Sequence, residues 1–363
     1  MRILHILNHT QRLNGHVHAA VDLSCGQKKL GHETAVASGG GDFDPLLTKH
    51  GVDTFEISHE RRPLTLLKSL WTLFSLARSW KPDVIHAHMM TSAVLSWPVS
   101  KLLRIPLVTT VHNEFEKSAI LMGLGDRVIA VSKAVRDSME KRGVSASKLE
   151  VVLNGTIGSV REGPRNSEPP SVRHPAILVV AGLHPRKGLP YLLEAFETIH
   201  GTFPEANLYI VGDGPYKDQY REQAEAQSSS GNIEFLGGQK DPFKWMAAAD
   251  IFVLPSLADP APLVICEARE AGCAVIGSDV GGIPQLLEHG EAGIVVPAEN
   301  AEALAGALST LLADPDELAK WKEKSQLRIE YLTVDRVARE TCEIYDGLRR
   351  SFGKLALEAG THT

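Results

Sequence analysis

Asp259 and Glu267 flank what reads as the start of a helix, and there the residue types and their spacing point most directly to chemistry. The apolar run Ile251-Phe252-Val253-Leu254 has the composition of a buried strand and ends at Pro255-Ser256, while Pro262 suits the first position of a following helix. At such a helix start the amides of Leu263, Val264 and Ile265 have no intrahelical acceptor, and the helix dipole favours an anion such as a phosphate. A carboxylate beside a phosphate repels it. Asp259 in the loop and Glu267 about one turn into the helix therefore suit hydroxyls attached to that anion, and a sugar nucleotide carries both kinds of group.

Other strand-to-helix loops offer partners for such a ligand. Gly182-Leu183-His184-Pro185-Arg186-Lys187-Gly188 carries two adjacent cations, which suit a diphosphate or make a solvated basic turn. Val211-Gly212-Asp213-Gly214-Pro215 is a tight glycine turn, and Gly281-Gly282-Ile283-Pro284 repeats its logic. Near the N-terminus, Asn8 to Gly15 separates a strand from a helix, and Gly15 either admits a ligand close to the backbone or serves a flexible turn. His86, His88 and His112 stand near strand ends; without an acidic or Cys partner at ligand spacing, a polar contact by His112 is expected rather than a metal site. The Asp42/Asp44 and Asp314/Asp316 pairs read as structural, the second at a helix start where acids cap. The chain has no G-x-S-x-G, Walker loop or G-x-G-x-x-G after its first strand, the last arguing against a nicotinamide-dependent oxidoreductase.

These loops need a sheet to hold them. Short β-branched runs (Ile3–Leu7, Thr34–Ala37, Asp83–His86, Leu107–Val111, Val128–Val131, Val151–Leu153) alternate with amphipathic stretches, which predicts parallel strands with crossover helices. The pattern lapses between Gly158 and Pro175, then restarts at Ile177 and continues to Val296. The expected organisation is an α/β chain with two Rossmann-like, doubly wound domains facing a cleft: 1–157 on the acceptor side, a linker at 158–175, and 176–332 on the donor side. Residues 333–363 form a C-terminal helix and tail, with the last helices returning to the first domain because they have no strands of their own to cover.

A chain of 363 residues exceeds what one core usually sustains. Its net charge of −6 argues against a nucleic-acid binder. Four scattered cysteines read as free thiols of a reducing cytoplasm. The N-terminus runs directly into a strand without a signal-peptide pattern, and no run is long enough to span a membrane. Residues 61–81 set Leu66, Leu67, Leu70, Trp71 and Phe74 beside Arg61, Arg62, Lys68, Arg78 and Lys81, which suits peripheral contact at the cytoplasmic face of an anionic membrane as well as packing on the sheet.

Ala181 to Gly188, Val211 to Pro215, Ala249 to Ser256, Glu267-Ala268 with Gly272, and Gly281 to Pro284 together resemble the retaining glycosyltransferases of family 4, which have the GT-B architecture. Gly31 to Thr34, Pro82 to His88, Val131-Ser132 and Asn154-Gly155 are weaker landmarks of the same family. The resemblance implies a nucleoside-diphosphate sugar donor, UDP- or GDP-linked, transfer with retained anomeric configuration, no cofactor and no essential metal. The acceptor would be a glycan, a lipid-linked species or a small molecule. Glu267 matches the second acid of the family's Glu-x7-Glu motif, which holds the ribose hydroxyls, and Asp259 falls at the first, which contacts the donor sugar. Lys187 matches the phosphate-binding lysine, with Arg186 beside it. His112 resembles the histidine next to the sugar, and Leu263 and Val264 fall where amides meet the diphosphate. Gly182 stands where the family usually has Arg, Asp259 is one methylene shorter than the usual Glu, and Asn14-Gly15 replaces Gly-Gly. Those departures keep open a non-catalytic binding protein, or a sugar-nucleotide epimerase or phosphorylase on the same frame.

Overall fold

The computed structural model describes residues 1–12, 14–59, 62–161 and 168–360, with side chains through Phe352. Leu13, Arg61 of the basic stretch, the middle of the expected linker (162–167) and the last three residues lie outside the described residues. The chain divides into two compact units, Met1–Arg161 with Leu332–Thr363, and Glu162–Tyr331.

In the first unit, β1 (Arg2–Ile6), β2 (Glu33–Ser38), β3 (Asp53–Glu56), β4 (Val84–Ala87), β5 (Leu107–Val111), β6 (Arg127–Ala130) and β7 (Leu149–Val151) pair in parallel in the order β3-β2-β1-β4-β5-β6-β7. Residues Ile3 to Ile6 of the central strand are fully buried, as a strand covered on both faces requires. Part of that cover comes from the far end of the chain. The helix Val334–Gly360 presents Cys342, Tyr345 and Leu348 at helical spacing to Ile3, Val84, Val108, Ile129 and Val152. Gly26 lets the helix Gly15–Lys29 come close to it: a Cβ there would stand 3.0 Å from the Val334 side chain.

In the second unit, β8 (Ala176–Val180), β9 (Asn207–Val211), β10 (Ile233–Gly237), β11 (Ile251–Leu254), β12 (Ala274–Ser278) and β13 (Ile294–Val296) form a sheet in the order β10-β9-β8-β11-β12-β13. All of its pairs are parallel. Leu189, Leu192, Leu193, Phe196 and Ile199 form one helix stripe, which packs in the same core as Leu304, Leu308 and Leu311. Both sheets reverse their strand order once, at β1/β4 and at β8/β11. In open α/β sheets ligands bind outside the carboxyl ends of the strands at that reversal.

Two expectations about strands need correction. β3 was not foreseen: its sequence Asp-Thr-Phe-Glu is mostly exposed at the sheet edge and carries no apolar run. The strand expected at Val151–Leu153 ends at Val151 and begins at Leu149, and Val152 and Leu153 are buried just beyond it.

Candidate functional site

At the β8/β11 reversal two loops are locked together by backbone contacts. Gly188 has φ +68°, and a Cβ on it would stand 1.9 Å from the carbonyl oxygen of Pro255. Beside it, the Leu257 amide donates to the Arg186 carbonyl at 2.7 Å. This lock brings Lys187 Nζ to 2.5 Å from Asp259 Oδ2, with the two side chains only 17% and 8% exposed. The Ser256 hydroxyl donates to the same carboxylate oxygen at 3.4 Å. The loop after β12 closes on the other side, where the Gly282 amide donates to the Asp259 carbonyl at 3.0 Å. Gly281, φ +56°, comes so near that a Cβ would lie 1.7 Å from that carbonyl. Gly212, φ +144°, likewise makes its close approach to backbone, its hypothetical Cβ falling 1.8 Å from the Ala181 carbonyl.

The helix that follows spans Leu263–Glu270 and places Leu263, Val264 and Glu267 within its first turn and a half. Pro262 is its N-cap rather than its first residue, and the Ile265 amide donates to the Pro262 carbonyl at 3.2 Å. Of the three amides expected to face an anion, Ile265 is thus committed, which leaves the roles of Leu263 and Val264. Glu267 is buried one turn in. Arg186, by contrast, holds the lock through its carbonyl while its side chain is exposed. The helix is itself anchored by Arg269, fully buried, which donates to the carbonyls of Ser325 (2.8 Å), Leu286 (2.6 Å) and Leu327.

In the first unit, Gly15 is exposed at the first position of its helix, and His112 is half-buried just after β5. His112 does not stand alone. Its Nε2 lies 3.1 Å from His88 Nδ1, His88 Nε2 lies 2.9 Å from His5 Nδ1, and His5 Nε2 lies 2.8 Å from Gln27 Oε1. Burial holds the His5 pKa down to about 4 and that of His112 to about 3, and pushes His86 and His88 well below the usual range. Among the described residues, the ring nitrogens close enough to share a metal are those of His5, His86 and His88, all buried, a set that takes in His5 and leaves out His112. Both nitrogens of each already have hydrogen-bonding partners, His86 with Tyr345 at 2.5 Å and Thr110 at 2.7 Å. The acid pairs are structural as expected: Asp314 caps its helix by accepting from the amides of Asp316 and Glu317, Asp44 accepts from Thr10 and Gly41, and Asp42 from Arg12.

Residues 161–328 match the family described as Glycosyl transferases group 1, and residues 13–156 match Glycosyltransferase Family 4. The chain is 30% identical over 270 residues to a phosphatidyl-myo-inositol mannosyltransferase of Mycobacterium tuberculosis (strain CDC 1551 / Oshkosh), covering 70% of this chain and 68% of that protein. It is 29% identical over 278 residues to the protein of that name from Mycolicibacterium smegmatis, covering 73% and 71%. The chain belongs to the family 4 glycosyltransferases. Its fold is GT-B: the crystal structure of Anabaena HepE in complex with UDP-glucose is similar with a TM-score of 0.80 at 22% identity, over 96% of this chain and 100% of that one.

Several residues that shape this glycosyltransferase's loops escaped sequence reasoning. His5 sits between Leu4 and Ile6, and a polar residue in a doubly covered strand was the available signal; Gln27, between Gly26 and Lys28 on a helix, gave none. Arg269 gave the same signal from a helix that is otherwise largely buried. Tyr345, distant in sequence from every residue it touches here, gave none.

Proposed function

We propose that the second unit binds a UDP- or GDP-linked sugar and that the enzyme transfers the sugar, with its anomeric configuration retained and no essential metal or other cofactor, to a glycan, lipid-linked or small-molecule acceptor. The observation that carries this reading is the Lys187–Asp259 contact at the sheet reversal, beside the start of the helix Leu263–Glu270. Lys187 faces the diphosphate with Arg186 and the amides of Leu263 and Val264. Glu267 accepts from the ribose hydroxyls and Asp259 accepts from the sugar, while His112 of the first unit keeps the sugar-contact role that the family resemblance gives it. Gly15 and Gly212 are the donor-binding glycines of this reading, each in its own unit, and Gly212 lets the backbone close on the Ala181 carbonyl. As the glycosidic bond breaks, positive charge grows on the sugar ring and negative charge on the diphosphate. Lys187 and the helix start strengthen their contacts at that moment, which is what lowers a barrier. That HepE is seen with UDP-glucose supports the choice of donor class.

The acceptor side includes a membrane contact in this reading. Leu64, Leu67 and Trp71, 83%, 64% and 70% exposed, share one face of the helix Pro63–Trp80 beside Arg62 and Lys68. No helix among the described residues is long and apolar enough to cross a membrane. The proposed contact is peripheral, at the cytoplasmic face. Two assays test the proposal. NMR of the product's anomeric proton, with excess EDTA present, should show the donor's configuration; an inverted product, an epimerised free donor or loss of turnover in EDTA would refute it. Co-sedimentation should occur with anionic vesicles and be lost in Trp71→Ser.

A further inference from the structure

We propose that Gln27, acting through His5 and His88, fixes the tautomer of His112, so that the ring presents an unprotonated Nδ1 as a hydrogen-bond acceptor. The direction is set at Gln27. Its NH2 group donates to the Tyr345 hydroxyl of the helix Val334–Gly360 at 3.3 Å. Its Oε1 therefore accepts from His5 Nε2 at 2.8 Å. A neutral imidazole has one donor and one acceptor, so His5 Nδ1 must accept, and it does so from His88 Nε2 at 2.9 Å. His88 Nδ1 in turn accepts from His112 Nε2 at 3.1 Å, and the His112 proton is committed inward.

A branch obeys the same rule. Tyr345, having accepted from Gln27, donates to His86 Nδ1, and His86 Nε2 donates to Thr110 Oγ1. Burial keeps these rings neutral at physiological pH, and neutrality is what lets one amide set the polarity of the whole chain. A reversed Gln27 would move every proton along the chain and turn the outer nitrogen of His112 into a donor. An acceptor suits a hydroxyl and repels a phosphate oxygen, so the network fits His112 to a hydroxyl of a sugar. That assignment rests on the proposed function; the tautomer does not. Gln27, His5 and His88 are positioning residues.

The test is long-range 1H–15N correlation of the full chain labelled with 15N-histidine, for the wild type and for Gln27→Met, which keeps the volume and removes both polar groups. His112 should carry its proton on Nε2 in the wild type and show both tautomers in Gln27→Met, with kcat lowered roughly tenfold, the factor a neutral hydrogen bond is worth. A wild-type His112 protonated at Nδ1 would overturn the proposal even if the variant failed to fold, as would an unchanged tautomer in a folded Gln27→Met. The expected tautomers with unaltered kcat would uphold the relay and overturn the role of His112 in transfer.

Discussion

Replacing Lys187 by Ala has two separable consequences. The first is catalytic: losing a charge-assisted contact to a departing diphosphate costs about 2 to 4 kcal/mol in the transition state, or roughly thirty-fold to nearly a thousand-fold in rate. The second concerns stability. Asp259, 8% exposed, would keep, among the described residues, the Ser256 hydroxyl at 3.4 Å as its side-chain partner. Breaking a buried ion pair from one side costs about 3 to 5 kcal/mol, and the 17% exposure of Lys187 places this pair toward the low end. The double variant Lys187→Ala/Asp259→Asn removes the orphaned charge, so it should recover most of the lost stability and none of the lost rate. Urea unfolding and initial rates at saturating donor, measured on wild type, single and double variants, separate the two. Recovery of turnover in step with stability would show that Lys187 acts only by holding the loop, and the catalytic role would fall.

Three further outcomes follow from the same geometry. His5 and His112 have folded pKa values of about 4 and about 3, below the ordinary 6.5, so between those values the unfolded chain binds protons that the folded chain does not. Stability is then lost as pH falls below about 6.5, and a Tm unchanged between about pH 7.5 and pH 5 would refute that burial. Arg269→Met leaves the carbonyls of Ser325, Leu286 and Leu327 without their donor and should cost about 3 to 5 kcal/mol in denaturant unfolding; a loss under about 1 kcal/mol would contradict the clamp. Gly188→Ala drives a methyl into the Pro255 carbonyl at a left-handed φ. It should lower turnover at least tenfold through displaced Lys187, and near-wild-type activity would show that the lock is dispensable.

The doubly wound sheets were legible because their strands are continuous β-branched runs, a signal that buried parallel strands carry in themselves. The edge strand Asp53–Glu56 was not, because an exposed edge needs no apolar pattern. In the second unit, loop chemistry at Gly188, Lys187 and Gly281 announced itself through glycines beside charged residues. What those glycines do, pressing backbone on backbone rather than on ligand, appears only when the loops are placed side by side. The histidine relay was half visible: His86, His88 and His112 stood out. The partners that orient them, His5, Gln27 and Tyr345, come from β1, the first helix and the last helix, and no local pattern joins residues so far apart.

The most direct test is a titration of nucleoside-diphosphate sugars against the wild type and the Lys187→Ala/Asp259→Asn variant, followed by thermal unfolding. A donor at about a hundred times its Kd should stabilise the wild type by about 2.7 kcal/mol and the double variant far less at the same concentration. No shift with any UDP- or GDP-linked sugar, or an equal shift in both proteins, would contradict a donor diphosphate held at Lys187.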